Sequence, residues 1–256
     1  MKILLTNDDG IYSEGIQILK KQLDNIAEVR VIAPDRERST IGHAITLRKP
    51  LGIKKVKVNG NFWGFSLDGT PADCVIVGLL EIMKDEKPDL IISGINQGPN
   101  LGDDIIYSGT VSAAMEGGMR NIPSLAVSIA GFKDFKFESA ALFTKKIASN
   151  LMKNNLPSNL VLNINFPNIN YEQIKGVEIT RHGKRVYQDE LKIIHDPKGT
   201  THYWLGGDLP EGKIEPDTDF ESIYNNKVSI TPLSLDLTNY KMMLIIRDWA
   251  EKWSFK

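Results

Sequence analysis

A chain of 256 residues with 41% hydrophobic and 25% charged residues has the composition of an ordinary soluble globular protein. At that length it buries a core without a disulfide or zinc staple. A formal net charge of −1 gives no global pull toward nucleic acid or an anionic membrane. The single cysteine, Cys74, excludes an internal disulfide and suits a reducing, cytoplasmic setting. The first apolar run is broken by Asn7-Asp8-Asp9 too early for a signal peptide, and no stretch approaches the ~18 apolar residues of a membrane span. The expectation is a cytoplasmic protein with neither a stable nucleic-acid partner nor a membrane partner.

Lys2–Thr6 reads as a buried strand, followed by a helix over 15–25 with Ile16, Leu19 and Leu23 on one face. Strands follow over 28–33, ended by Pro34, and over 62–67. Thr70 can cap a helix with Pro71 in its first turn and Asp73 against its dipole, running to about Lys84. A further strand lies over 88–93. A helix then starts at Ser108-Gly109-Thr110 and passes through Glu116, before a strand over 125–129. An amphipathic helix over 138–153 and a strand over 160–165 complete the alternation. This order predicts a doubly wound, mostly parallel α/β sheet across residues 1–170. Residues 171–256 change character. Short segments such as 177–180 and 203–205 stand between Asp-, Gly- and Pro-rich stretches, and predict a β-hairpin or extended arm belonging to the same domain. A strand over 228–231 and a terminal helix over 240–252 follow.

Chemistry concentrates where three of these strands end. In open α/β sheets ligands collect beyond the carboxyl ends of the strands. The first such loop carries Asn7, Asp8 and Asp9. Adjacent carboxylates repel each other and resist desolvation unless a cation lies between them, and hard Mg²⁺ or Mn²⁺ suits oxygen donors. The second loop, 34–43, carries Ser39, Gly42 and His43; the third, 94–104, carries Asn96. Strand geometry brings Asp8, Asp9, Ser39 and Asn96 together as oxygen ligands. Ser108, Gly109 and Thr110 open a helix whose free amides and dipole favour an anion. Metal beside anion pocket is the layout of phosphoryl-transfer enzymes.

Each residue has a plainer reading alone. Asp-Asp-Gly is a common turn, Ser39 can cap one, and Asn96 and Asn100 suit left-handed loop positions. Ser108 can be an ordinary helix cap, and His43 can orient its loop instead of touching substrate. Asp103 and Asp104 read as a loop feature, and Arg36, Arg38, Arg181 and Arg185 as solvated charges or phosphate partners. His182, His195 and His202 lack a Cys/His cluster, which argues against zinc. Glycines 94, 98 and 102 match neither a Walker loop nor a dinucleotide fingerprint.

The segments Leu5-Thr6-Asn7-Asp8-Asp9-Gly10, Gly42-His43-Ala44-Ile45-Thr46-Leu47 and Ser93-Gly94-Ile95-Asn96-Gln97-Gly98 carry a resemblance. Tyr107-Ser108-Gly109-Thr110-Val111, Asp68-Gly69-Thr70-Pro71-Ala72-Asp73, Asp196-Pro197-Lys198-Gly199 and Val228-Ser229-Ile230-Thr231-Pro232-Leu233 extend it along nearly the whole chain. Together they resemble the SurE (survival protein E) phosphatases. The resemblance implies a Rossmann-like core and one divalent metal per subunit on Asp8, Asp9, Ser39 and Asn96. It also implies hydrolysis of nucleoside 5′- or 3′-monophosphates, with short polyphosphate a further substrate. A C-terminal arm exchanged within a homodimer or homotetramer is implied as well. Substrate phosphate would meet Asn96, Ser108, Gly109 and Thr110, with Gly42 and His43 nearby, while Asp8 and Asp9 act as catalytic groups. Whether an aspartate serves as base or as direct nucleophile stays open. Thr40 stands where the family has a smaller residue, and Asn225-Asn226-Lys227 replaces a Gly-aromatic pair. Adjacent Asp8 and Asp9 lack the Asp-x-Asp spacing of haloacid-dehalogenase phosphatases. A non-catalytic nucleotide- or metal-binding sensor module is the alternative of another class.

Overall fold

The computed structural model describes residues 1–151, 153–154, 157–186, 190–206 and 211–253. The expected helix over 138–153 and arm over 171–256 each include residues outside that set. In chain order the elements begin with β1 (Lys2–Thr6), α1 (Glu14–Leu23), β2 (Glu28–Pro34), β3 (Ile53–Val58), β4 (Asn61–Leu67) and α2 (Pro71–Val77). Then come β5 (Leu90–Gln97), α3 (Gly109–Met119), β6 (Ser124–Ala130), α4 (Phe137–Leu151), β7 (Val161–Pro167) and β8 (Val177–Ile179). The chain continues with β9 (Arg185–Val186), β10 (Glu190–His195), β11 (Thr201–Gly206), β12 (Glu211–Gly212), α5 (Asp219–Tyr224), β13 (Val228–Leu233) and α6 (Tyr240–Ala250).

Among the described residues nine strands form one sheet in the order β3-β4-β2-β1-β5-β6-β7-β13-β8. The run β4-β2-β1-β5-β6-β7 is parallel throughout, and its order reverses between β1 and β5. That reversal is the topological switch point, where two crossovers leave in opposite directions and open a crevice. Strands β3 and β13 pair antiparallel with β4 and β7, and β8 runs parallel to β13. Segments from beyond residue 170 therefore extend the same sheet.

Alternation along β1 builds both layers. Ile3 and Leu5 pack with Ile16, Leu19 and Leu23 of α1 and with Phe137 and Ala140 of α4. Leu4 faces the other way, onto Cys74 and Val75 of α2 and Ala113 of α3. Cys74 is fully buried there. The Thr70 cap forms as a reciprocal box: Asp73 N donates to Thr70 Oγ1 (3.0 Å) and Thr70 N to Asp73 Oδ2 (2.9 Å).

Two local expectations change, and two elements appear that the sequence pattern does not announce. The helix after Thr70 leaves α geometry after Val77 and widens to a π turn over Gly78–Ile82. A Cβ on Gly78 would come 3.0 Å from Leu4, so the helix there lies close on β1. Strand β5 continues past residue 93 to Gln97, through an irregularity in its pairing with β6. Strand β3 shows no apolar alternation beyond buried Val56, since it forms a solvated edge. The short α5 is fixed by Thr218 Oγ1, which accepts from Glu221 N (3.2 Å), with no long apolar face to announce it. Strands β10 and β11 form the hairpin, its turn closed by Asp196 Oδ1 accepting from Lys198 N (2.9 Å) and Thr200 N (2.8 Å). No helix among the described residues is long and apolar enough to cross a membrane.

Candidate active site at the switch point

Asp8 and Asp9 leave the end of β1 at the switch point, in a turn built by Asn7. The buried Asn7 Nδ2 donates to Gly10 O (3.0 Å) and to Ser13 Oγ (2.7 Å), tying both ends of the turn together. Asp8 is 3% exposed. It accepts Thr110 N (3.1 Å) on Oδ2 and the Thr110 hydroxyl on Oδ1, while its own carbonyl accepts Arg38 N (2.7 Å). The start of α3 is pressed against this carboxylate: a Cβ on Gly109 would lie 2.9 Å from Asp8 Cβ and 3.1 Å from Oδ2. Asp9 Oδ2 accepts from Gln97 N (3.3 Å), at the far end of β5.

One cavity of about 370 Å³ collects Asp8 and Ser39 from two strand-end loops, Asn96 from the last residues of β5, and Ser108 from the α3 start. Asn96 Nδ2 donates to Gly98 O (2.9 Å), which leaves its Oδ1 for the cavity. The Ser39 hydroxyl donates to Glu37 Oε1 (2.7 Å). Ser108 Oγ accepts from Val111 N (3.0 Å), a helix cap that also faces the cavity. Thr110 is fully enclosed, with both of its donors on Asp8. Gly42 N donates to Tyr107 O (2.9 Å), docking the second loop on the third. His43 turns into a neighbouring cavity of about 560 Å³, where Nε2 lies 3.1 Å from Glu116 Oε2 and Arg120 Nε donates to Glu116 Oε1 (2.8 Å). That pair holds the Glu116 carboxyl below its ordinary range, the His43 bond being the larger cause.

The electrostatics show a deficit of positive charge. Burial pushes the Asp8 carboxyl above its usual range, against the pull of the Thr110 bonds. Burial and then the neighbouring Asp8 charge push Asp9 up to about 7. Glu37, which its sequence context does not mark, adds negative charge to both. Arg38, whose amide meets the Asp8 carbonyl, spends its guanidinium on Asp35 Oδ1 (3.2 Å). Asn96 and Asn100 both avoid the left-handed region, which glycines 94, 98 and 102 occupy. Asn100 is clamped instead: its carbonyl accepts from Asn163 Nδ2 (2.8 Å) and Asn165 Nδ2 (2.9 Å), and its Nδ2 donates to Ser128 Oγ (2.6 Å). Tyr107, Phe132, Asp104 and Arg185 complete the cavity wall. Among the described residues no group of three His, Cys, Asp or Glu side chains gathers as a metal cage.

A raised carboxyl makes the metal-free fold bind more protons than the unfolded chain between the unfolded value of 3.8 and about 7. Its burden on stability is absent below 3.8, grows as pH rises, and is complete above about 7. Asp9→Asn should therefore stabilise EDTA-treated protein at pH 8 by on the order of 2 kcal/mol, after discounting for the partial exposure of Asp9. At pH 4 the variant and wild type should differ little. Urea unfolding of both proteins at the two pH values checks this, and a pH-independent difference would refute it.

A doubly wound α/β protein with an acidic, oxygen-lined crevice at its switch point has its polar groups where open α/β enzymes bind their ligands. Comparison with known proteins narrows the class. The family model for survival protein SurE matches residues 3–189. The 5′-nucleotidase SurE of Petrotoga mobilis is 46% identical over 251 residues, covering 98% of this chain and all of the relative. The 5′-nucleotidase SurE of Syntrophomonas wolfei is 47% identical over 244 residues, 95% of this chain and 92% of the relative. The crystal structure of the SurE protein of Aquifex aeolicus superimposes with a TM-score of 0.85 at 43% identity, covering 98% of this chain and all of that one. The chain belongs to the SurE family.

Proposed function

We propose that this chain is a divalent-metal-dependent 5′-nucleotidase, hydrolysing nucleoside 5′-monophosphates to nucleoside and phosphate. The observation that carries the reading is the buried Asp8, opening at the switch point into a cavity shared with Ser39, Asn96 and Ser108, with the half-buried Asp9 carboxylate adjoining it. The family relatives named 5′-nucleotidase support it over nearly their whole length.

The residues fit a hard cation. Asp8, Asp9, Ser39 Oγ and Asn96 Oδ1 form an all-oxygen donor set, and the two carboxyls are pushed up by burial first and by neighbouring negative charge second. Mg²⁺ or Mn²⁺ would be held by these four residues. When bound, it supplies charge to the phosphate and makes nearby water a stronger acid. Thr110 fixes the Asp8 carboxylate from both its amide and its hydroxyl, so that Asp8 keeps one orientation through the reaction. The Gly109 amide and the Ser108 hydroxyl, at the positive end of α3, meet the phosphate. Asp9, tethered only through Gln97 N, is the carboxylate with room to take a proton from water.

The association reading rests on what the single chain leaves uncovered. Helix α6 buries none of its residues and exposes Met242, Leu244, Ile246 and Trp249. The β10–β11 hairpin exposes Ile193, Tyr203 and Trp204. A homodimer or homotetramer covering these segments accounts for apolar surface that a monomer would leave in water. A place in the cytoplasm without nucleic-acid or membrane partners is part of the same proposal, supported by the near-zero net charge and the single cysteine.

The decisive experiment is release of inorganic phosphate from AMP with Mg²⁺ or Mn²⁺, abolished by excess EDTA and restored when metal is returned. A panel of 3′-monophosphates and short polyphosphate then sets the substrate range. No release with either metal, while AMP still binds, overturns the enzyme and favours a sensor.

A further inference from the structure

The cavity continues from Asp8 and Asn96 to a far wall of different chemistry. Tyr107 ends the 3₁₀ turn Gly102–Ile106, and Phe132 follows β6. Both rings line the cavity, yet they are 57% and 59% exposed. Large apolar rings in a concave, water-filled wall are left without the burial that would stabilise them. Arg185, in β9, lines the same cavity, and its side chain is only 7% exposed. Its Nη2 lies 3.0 Å from Asp104 Oδ2, and its guanidinium carbon sits 5.7 Å from the centre of the Phe220 ring. Its Nε has no hydrogen-bond partner among the described residues. The backbone around it is fixed: buried Asp219 accepts Gly102 N (2.8 Å) on Oδ2 and Gly183 N (2.8 Å) on Oδ1, locking the third loop to the segment that carries Arg185.

We propose that Tyr107 and Phe132 form the seat of the substrate's aromatic base, and that Arg185 supplies N–H donors to the acceptor atoms of that base. The inference rests on the phosphomonoesterase reading and adds what selects among phosphomonoesters. Every base has a π face that stacks on an aromatic ring regardless of sequence identity. A guanidinium carries donors only, which matches the ring nitrogens and carbonyl oxygens of a base. The seat and the phosphate end lie in one cavity of about 370 Å³, within the roughly 300–1,000 Å³ range of small-molecule sites. The Asp104 and Phe220 contacts hold the guanidinium in place before substrate arrives, so little side-chain entropy is lost on binding.

The test compares AMP with ribose 5-phosphate, which has the same phosphate and sugar and no base. Wild type and the double variant Tyr107→Leu, Phe132→Leu are assayed with metal. In parallel, binding of adenosine and of ribose is measured by calorimetry, which needs no turnover. The double variant should lower kcat/KM for AMP about tenfold more than for ribose 5-phosphate, through KM, as stacking energies of bases predict. Adenosine binding should weaken by a similar factor, and Arg185→Gln should weaken adenosine without the same effect on ribose. Melting temperature and near-UV circular dichroism verify that the variants fold; both rings are more than half exposed, so leucine is accommodated. An unchanged AMP to ribose 5-phosphate ratio with unchanged adenosine affinity overturns the seat. So does a loss of oligomeric mass with an unchanged ratio, which assigns the rings to a subunit contact. A larger effect of Arg185→Gln on ADP than on AMP assigns that residue to a further phosphate and overturns its role here. Turnover of neither phosphoester by wild type, with adenosine bound and sensitive to the variants, defeats the enzyme reading and leaves the seat standing.

Discussion

Asp8→Asn is expected to lower kcat for AMP hydrolysis by about a thousandfold or more, the scale of losing a charged group from a metal-assisted site. The same variant should melt within a few degrees of wild type. Both halves follow from the surroundings of Asp8. Its carboxylate is buried, lies at the start of α3, and is oriented by the amide and hydroxyl of Thr110. An amide of nearly equal volume fills the same space, so no cavity forms. It also relieves the burial of charge that pushes this carboxyl up. Against that gain stands one lost acceptor: an Asn can take the Thr110 hydroxyl on its oxygen while its NH₂ faces the Thr110 amide. That mismatch costs about 1 kcal/mol, comparable to the relief. Activity has no such compensation, because a neutral group neither balances a divalent cation nor repels its own neighbour Asp9. Phosphate release under saturating Mn²⁺, with Mn²⁺ affinity by calorimetry and a thermal melt, checks the prediction. Activity near wild type would remove Asp8 from the mechanism; a large fall in melting temperature would make it a structural residue.

The expectations drawn from residue patterns divide along a physical line. Continuous apolar runs such as Ile3-Leu4-Leu5 and Leu90-Ile91-Ile92 identify buried parallel strands, because a strand covered on both faces has no polar side to show. The strand ends then place Asp8, Ser39 and Asn96 in one cavity, since parallel strands all deliver their carboxyl ends to one edge of the sheet; Asn96 comes from the last paired residues of β5 and not from the loop beyond it. Contacts that depend on tertiary closure leave no such trace. Thr110 reads as the first turn of a helix, and nothing within ten residues tells that both its donors go to Asp8, 102 positions away. Arg185 looks like one of four surface arginines until Asp219 draws its segment against the third loop. Phe132, just past the end of β6, carries no motif that marks it, and its ring lines the cavity. Edge strand β3, with Lys54, Lys55 and Lys57 in solvent, has the pattern of a loop because an edge needs no apolar alternation.

Gly94→Ala is expected to destabilise the protein by roughly 3–5 kcal/mol, in the exceptional range for one methyl group, and to remove the proposed metal site with it. Gly94 lies inside β5, between β1 and β6, where the pairing with β6 slips. Ser93 opposes Ala126 and Asn96 opposes Ser128, so three steps along β5 match two along β6. The extra residue resets which face each side chain meets. Ile92 and Ile95 thus both enter the core beneath α1 and α4, although an odd spacing in a regular strand would send them to opposite faces. The same reset fixes the direction in which Asn96 leaves the sheet. Gly94 makes it possible with φ +139° and a backbone close enough that a Cβ would lie 2.3 Å from Val127 O. Two causes are therefore combined, a conformation closed to L side chains and a collision with a neighbouring strand. Gly176 separates them, because it holds φ +143° with nothing within 4 Å of a built Cβ. Gly176→Ala should cost only the backbone strain, about 1–2 kcal/mol. Urea unfolding of the two variants measures the difference, and equal losses would mean that β6 yields to the added methyl. A Gly94→Ala protein that stayed folded and still bound Mn²⁺ as wild type does would show that Asn96 is placed by the loop beyond it, with no need of the slipped strand.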